Sequence, residues 1–168
     1  VLSFFSLCVF PSLAAVSILV IYVCVCAFYS VEMAVKRIHN QMIENSFADA
    51  LSNQEFVVYY QPKINLTTQK VIGAEALVRW KKADGTMVSP GEFIPVYEND
   101  GQIQKLDEYV FEQVCQLQKR IINEYKKLLA ISVNLSRSSI LCEGVASRYI
   151  KIAEEDRKST RLNSSHLG

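Results

Sequence analysis

The sequence lacks an excess of charge of either sign. It has 18 Lys and Arg residues against 17 Asp and Glu residues, a formal net charge of +1 over 168 residues. This balance gives no reason to expect DNA or an acidic surface as a partner. The five cysteines also lack the paired spacing of a metal site, since Cys24 and Cys26 form CxC rather than CxxC. We interpret them as small buried hydrophobic residues of a protein whose soluble part is in a reducing compartment.

The first 31 residues contain no Asp, Glu, Lys, Arg or His. Within them, residues 13–29 read LAAVSILVIYVCVCAFY, and the charge-free length exceeds the ~20 residues that cross a bilayer core. Lys36 and Arg37 follow, and positive charge beside a span favours a cytoplasmic location for that side. We therefore predict a transmembrane segment within residues 1–31. A signal peptide, a buried soluble helix, or spurious translation at the edge of the coding sequence are the alternatives.

A change of hydrophobic period separates a helical connector, residues 32–52, from the segment that follows. Two β-rich runs come next, at Phe56–Tyr60 and Val71–Trp80. The connection between them is shorter than the ten or more residues of a parallel crossover, so they should pair as an antiparallel hairpin. Pairing Leu66 with Val71 would place Gln61 beside Ala76.

Turn residues predict a loop around Asp84-Gly85 and Ser89-Pro90-Gly91, followed by a long amphipathic helix. A buried strand over Leu128–Leu135 comes directly after that helix. This order is a parallel crossover, the unit of an α/β barrel or a doubly wound sheet. A second helix covers roughly Ser139–Glu155, and the polar residues 158–168 have the composition of a disordered, non-native tail. The apolar face of the long helix consists of Ile103, Leu106, Val110, Val114, Leu117 and Ile121.

The second strand carries charged residues within an apolar run. Side chains alternate along a strand, so Glu75, Leu77 and Arg79 share one face. Glu75 and Arg79 are about 13 Å apart at ~3.3 Å per residue, too far for an ion pair. Each charge therefore needs another partner, which suits a phosphate ester bound with a metal ion. Asn134 closes the third strand, where barrel enzymes place functional groups, although Asn is also a common turn residue.

Four segments resemble the EAL domain family in order and spacing: YYQPKINL, GAEALVRW, SPGEFIPVYE and SVNLS. The resemblance implies an α/β fold that is part of a (β/α)₈ TIM-type barrel with an antiparallel first strand, over residues 53–157. It implies hydrolysis of the bacterial second messenger cyclic di-GMP to the linear dinucleotide, with Mg²⁺ or Mn²⁺ as cofactor. It is also compatible with a homodimer formed through the EAL domain. Together with the span at residues 13–29, it places the protein in the bacterial inner membrane with the EAL domain in the cytoplasm.

The resemblance also assigns roles to individual residues. Glu75 and Asn134 match metal ligands of the family, and both offer the oxygen atoms that hard cations prefer. Tyr97 departs from the family, which often has Ala there. The remaining acidic ligands of the family belong to later strands, so this partial domain should be inactive alone. The alternative is a degenerate EAL module that binds cyclic di-GMP as a receptor without hydrolysing it. The resemblance implies that Pro95 and Glu98 lie in a loop at the mouth of the barrel. The residues that match substrate-binding positions are Gln61, Leu77, Arg79, Pro95 and Glu98.

Overall fold

The computed structural model describes the backbone of residues 2–164 and the side chains of residues 14–154. The chain divides into two compact units, residues 1–42 and residues 43–168. The helices are α1 (Leu2–Ser52), α2 (Pro90–Asp100), α3 (Ile103–Tyr125), α4 (Arg137–Leu141) and α5 (Val145–Ser164), and the strands are β1 (Phe56–Ile64), β2 (Val71–Lys81), β3 (Met87–Val88) and β4 (Ile131–Val133).

In the first unit, α1 is long and apolar enough to cross a membrane. Every side chain from Ala14 to His39 is exposed. The interpretation of the cysteines as buried is therefore wrong for Cys24 and Cys26, because protein does not cover the helix surface on which they lie. Cys115 and Cys142, in the second unit, are half-buried.

The predicted connector, residues 32–52, forms the C-terminal part of α1, but only its last ten residues pack in the second unit. Ile43, Phe47 and Ala50 are buried there, whereas Val35 and Ile38 are exposed. Helical spacing gave the correct secondary structure over the whole connector. The end of α1 from Ile43 onward is part of the domain core, because its apolar side chains contact an aromatic cluster.

The predicted hairpin is confirmed, since β1 pairs antiparallel with β2. Its register differs from the prediction: Ile64 lies opposite Val71, and Gln61 lies opposite Glu75 rather than Ala76. The cause is a turn that begins earlier than expected. The Asn65 side-chain oxygen accepts hydrogen bonds from the backbone N–H groups of Thr67 and Thr68, at 2.9 and 3.0 Å. Asn65 and the residue after it therefore leave the strand and form the loop.

The predicted loop after β2 contains regular structure. Met87 and Val88 form β3, which pairs antiparallel with the end of β2, and helix α2 follows at once. Pro95 and Glu98 consequently lie in a helix and not in a loop, which corrects the prediction. Pro90 occupies the first turn of α2, where its missing N–H costs nothing. Pro95 lies inside the helix, whose packing of buried Phe93, Val96 and Tyr97 offsets its helix-breaking tendency.

The predicted parallel crossover is present, because β4 pairs parallel with β2 and α3 lies between them in the chain. The predicted apolar face of α3 is confirmed for its first four residues, since Ile103, Leu106, Val110 and Val114 are buried, whereas Leu117 and Ile121 are half-buried. Strand β4 is shorter than the predicted Leu128–Leu135 and only half-buried. Leu128 is exposed. The Gln118 side chain bonds to the backbone N–H and C=O groups of Leu129, so these groups do not pair with a neighbouring strand.

An aromatic core closes one side of the sheet. Trp80 is almost fully buried, and its indole N–H donates to Glu55 Oε2 at 2.8 Å. Tyr97, the residue that departs from the family pattern, is also fully buried, and its hydroxyl lies 3.4 Å from the Ile43 carbonyl oxygen. Burial raises the pKa of Tyr97, and nearby Asp100 and Glu55 add to the shift, so this phenol is neutral. The rings in mutual contact are Phe47, Phe56, Trp80, Phe93 and Tyr97.

The predicted helix over Ser139–Glu155 is divided into α4 and α5. The break is at Cys142–Gly144, where Gly144 has a positive φ of 74°. The backbone of α5 continues to Ser164, past the predicted beginning of a disordered tail at residue 158. Residues 165–168 of that predicted tail lie outside the described residues.

Candidate functional site

The two faces of β2 have different surroundings. Ala74, Ala76 and Trp80 are buried on one face, whereas Glu75, Leu77 and Arg79 are half-buried on the other. We call the second one the open face. Gln61 lies opposite Glu75 on β1, and Ser132 lies beside it on β4. Because facing residues in paired strands project to the same side, the open face collects polar side chains from three strands.

Two residues predicted as metal ligands are in contact. The side-chain amide of Asn134, just after β4, donates a hydrogen bond from Nδ2 to Glu75 Oε1 at 2.8 Å. The parallel pairing of β2 with β4 produces this approach, because it brings strands that are distant in sequence side by side. A half-turn of the Asn134 amide would present its oxygen at the same place, so the pair can offer two oxygen atoms to one ligand.

A cavity of about 260 Å³ lies next to this pair. Four of the predicted site residues line it: Leu77, Arg79, Glu98 and Asn134. The Arg79 guanidinium is held by a hydrogen bond from Nη1 to the Val78 carbonyl oxygen at 2.8 Å. The cavity therefore combines a cationic group, a carboxylate and an amide with apolar walls, which is the usual composition of a small-ligand site.

Three predicted site residues do not line this cavity. Glu75 and Gln61 lie opposite each other on the open face, so they remain adjacent to it through the Asn134 contact. Pro95 is exposed on α2 and is not brought to the cavity. The structure thus brings six of the seven predicted residues to one region, on β1, β2, α2 and the end of β4.

Sequence reasoning missed Asp107, Ser136 and Ser139. Asp107 is buried on α3 and lines the cavity, as does Ser136. A signal was present in the sequence, because Asp107 interrupts the apolar face of α3 between Leu106 and Val110. A carboxylate at a core position of a helix needs buried partners, and that requirement could have identified it.

The family resemblance implies a divalent cation, and Glu75 and Asn134 are the residues that would hold it. The Asn134 Nδ2 and Glu75 Oε1 atoms are 2.8 Å apart, and a half-turn of the Asn134 amide would bring its oxygen beside the carboxylate, which fits part of a Mg²⁺ or Mn²⁺ coordination shell. Among the described residues, no group of three or more His, Cys, Asp or Glu side chains is placed to hold a metal ion. The two residues therefore fit as a partial ligand set that needs further ligands.

Comparison with known proteins identifies the family. The EAL domain family matches residues 44–162. Two relatives from Escherichia coli K12 are the probable cyclic di-GMP phosphodiesterases PdeB, 32% identical over 97 residues, and PdeG, 35% identical over 92 residues. These matches cover 58% and 55% of this chain but only 19% and 18% of the relatives, so the chain spans less than a fifth of their length.

A solved structure has the same fold. The MucR phosphodiesterase in complex with cyclic di-GMP superposes with a TM-score of 0.62 and 26% identity, covering 69% of this chain and 47% of that one. MucR is described as a bifunctional diguanylate cyclase and cyclic di-GMP phosphodiesterase of Pseudomonas aeruginosa. The family match extends over the hairpin, the crossover and the open face. The chain belongs to the EAL domain family.

Proposed function

We propose that this chain forms the first part of the active site of a phosphodiesterase that hydrolyses cyclic di-GMP to the linear dinucleotide. The observation that carries the proposal is the Asn134–Glu75 contact at 2.8 Å on the open face, beside a cavity lined by Arg79. The names of PdeB and PdeG and the ligand of the MucR structure support the choice of substrate.

Each residue has a proposed role. Glu75 and Asn134 would hold Mg²⁺ or Mn²⁺, which when bound lowers the pKa of a water molecule and stabilises charge at phosphorus. Arg79 binds a phosphate of the dinucleotide through charge-assisted hydrogen bonds. Leu77 and Glu98 contact the substrate from the cavity wall, and Gln61 contacts it from β1 next to Glu75. For Pro95 the proposed substrate contact rests on the family resemblance alone.

Hydrolysis requires more ligands than Glu75 and Asn134 provide. A two-metal site is held by several carboxylates, and the described residues offer no cluster of three. We therefore propose that residues 53–157 are inactive without the later strands of the EAL barrel, the (β/α)₈ fold of which they would form the first part.

The second candidate is a receptor that binds cyclic di-GMP without hydrolysis. One observation favours it, because Glu75 and Asn134 satisfy each other by a hydrogen bond and so need no cation. Both functions use Arg79 and the cavity, but only hydrolysis needs a metal ion at Glu75 and Asn134, together with the further ligands of later strands.

The test uses a protein that joins this chain to the later strands of an EAL barrel. Glu75→Ala is expected to lower kcat for cyclic di-GMP by several orders of magnitude, because it removes a ligand on which the chemical step depends. Arg79→Ala is expected chiefly to raise KM, because it removes a phosphate contact. Glu143→Ala, an exposed carboxylate between α4 and α5, serves as the control. A wild-type protein that binds the dinucleotide and shows no Mg²⁺- or Mn²⁺-dependent hydrolysis would favour the receptor.

We also propose that residues 13–29 span the bacterial inner membrane, with Lys36 and Arg37 on the cytoplasmic side. The support is the length, composition and exposure of α1. A cytoplasmic reporter fused after His39 should be active, and a periplasmic reporter at the same place inactive. Release of the protein into the soluble fraction by carbonate extraction would contradict the span.

A further inference from the structure

Asp107 is a buried carboxylate that the proposed reaction does not use. Only 7% of its surface is exposed, and it lies on α3 between the core residues Leu106 and Val110. A buried carboxylate is costly unless hydrogen bonds compensate for the lost water. Its presence at a core position therefore calls for an explanation from its contacts.

The two hydrogen bonds that Asp107 accepts from the described part of the chain share one oxygen atom. Asp107 Oδ2 accepts from the backbone N–H of Ser136 at 2.8 Å and from the Ser139 hydroxyl at 2.7 Å. The Ser136 hydroxyl oxygen in turn accepts from the Ser139 N–H at 3.1 Å, which caps the N-terminus of α4. The carboxylate thus fixes the chain segment between β4 and α4 to α3.

That segment carries Asn134. Ser136 lies two residues after Asn134, a distance of no more than about 7 Å at ~3.3–3.6 Å per residue. On its other side, Asn134 follows β4, a strand of three residues that pairs with β2. Asn134 is therefore held between a short strand and the Asp107 anchor, and Asp107, Ser136 and Asn134 line the same cavity.

We propose that Asp107 is a positioning residue: by anchoring Ser136 it holds the Asn134 amide against Glu75, so that the pair can receive a divalent cation. The proposal rests on the proposed function for the identity of the cation. It differs from a purely structural role, in which Asp107 would stabilise the fold without affecting the geometry of Asn134.

Four variants separate these roles. Asp107→Ala removes the anchor, whereas Asp107→Asn keeps a carbonyl oxygen that can accept both hydrogen bonds. Ser139→Ala removes one donor and leaves the Ser136 N–H bond. The matched control is Asp100→Ala, because Asp100 also accepts two hydrogen bonds, from the backbone and side chain of Gln102 at 2.8 Å each, away from the cavity.

The measurement uses the full chain in lipid nanodiscs, labelled with ¹⁵N-asparagine, and follows the side-chain amide signal of Asn134 by NMR. Mn²⁺ is added as the probe, since a bound paramagnetic ion broadens nearby signals. Asp107→Ala is expected to raise the Mn²⁺ concentration for half-broadening of that signal about 10-fold, the size of effect seen for outer partners of metal ligands. Asp107→Asn, Ser139→Ala and Asp100→Ala should stay within about twofold of the wild type, because each keeps the Ser136 anchor.

A second readout requires no metal. Glu75→Ala is expected to shift the Asn134 side-chain signal in the wild-type background and to have little effect on it in the Asp107→Ala background, where the two groups have separated. If Asp107→Ala does not fold, the same two measurements are made on Asp107→Leu, and the Asn134 side-chain amide signal is compared with that of Asp107→Asn. An unchanged Glu75–Asn134 coupling in a folded Asp107→Ala or Asp107→Leu protein overturns it. If Mn²⁺ fails to broaden Asn134 in the wild type while the coupling depends on Asp107, the metal assignment fails and the positioning role stands.

Discussion

The buried and open faces of β2 alternate residue by residue, yet one face packs in the core and the other carries the candidate site. Ala76 and Trp80 pack in core clusters with residues of α1, α2 and α3, while Glu75 contacts Asn134 at the end of β4 and Arg79 lines the cavity. Successive residues of the strand are only ~3.3 Å apart, but their side chains project to opposite faces. The residues that pack in the core are therefore separated from the candidate site residues by the alternation of the strand alone. Substitutions on the two faces should therefore have separable effects, on the free energy of unfolding and on ligand binding.

The largest expected effect on stability comes from the buried face. Trp80→Ala should lower the free energy of unfolding by about 3–5 kcal/mol, because it empties the centre of the aromatic core. Its indole also donates the hydrogen bond to Glu55, which would lose its partner. Urea unfolding of the chain in detergent micelles, followed by circular dichroism, measures the change.

The matched variant on the open face is Leu77→Ala. Leu77 is half-buried and lines the cavity, so its truncation leaves a smaller void in the core. The free energy of unfolding should therefore fall clearly less than it does for Trp80→Ala. An equal decrease in the free energy of unfolding for the two variants would contradict the distinction between a packing face and a binding face.

Gly73 is the position where the open face tolerates no side chain. A Cβ atom there would lie 2.5 Å from the Ala130 carbonyl oxygen, which accepts a hydrogen bond from the Ala74 N–H at 2.9 Å where β2 meets β4. Gly73→Ala should therefore destabilise the domain by about 1–3 kcal/mol, the cost of forcing apart a packed contact. The fluorescence of Trp80, the one tryptophan of the sequence, reports the unfolding.

Gly91→Ala is the control for Gly73→Ala. The nearest atom to an added Cβ at Gly91 is the Ser89 hydroxyl oxygen at 3.7 Å, an ordinary contact. Gly91 lies in the first turn of α2, where Ala has the higher helix propensity. This variant should be as stable as the wild type or more stable, and a loss comparable to that of Gly73→Ala would remove the steric explanation.

The alternation along β2 was sufficient to predict its two faces. Glu75 and Arg79 could be placed together because a strand has a period of two, whatever the fold around it. The hairpin followed from the length of its connection, and the crossover followed from the helix that lies between two strands in the chain. The family motifs added Asn134, whose contact with Glu75 joins strands 59 positions apart in the sequence and leaves no local signal.

Other features could not be read from the sequence, for physical reasons. Ser89, Pro90 and Gly91 gave the signature of a loop, but the burial of Phe93 and Tyr97 favours helix α2. The hairpin register depended on the side chain of Asn65, which closes its turn. In both cases tertiary packing or a side-chain hydrogen bond outweighed the local propensity.

The smallest expected effect on the free energy of unfolding concerns the hydroxyl group of Tyr149 on α5. Tyr149 on α5 packs its ring against Phe111, with the ring centroids 4.8 Å apart at 79°. Its buried hydroxyl has no hydrogen-bond partner among the described residues. Burial, with a smaller contribution from the negative charges of Asp107 and Glu108, raises the pKa of Tyr149 to about 12.

Tyr149→Phe keeps the ring contact and removes the unsatisfied hydroxyl, so the free energy of unfolding at pH 7 should be unchanged or higher by up to about 1 kcal/mol. Because the pKa in the folded state is above its ordinary value of about 10, the wild type should lose stability as pH rises from 10 to 12, and the variant should lose less. Tyr109→Phe is the control: it removes a hydroxyl that donates to the Phe56 carbonyl oxygen at 2.9 Å and should cost about 0.5–1.5 kcal/mol. Urea unfolding at pH 7 and at pH 11 measures both variants. A clear loss for Tyr149→Phe at pH 7 would mean that its hydroxyl has a partner, such as a buried water molecule shared with Asp107.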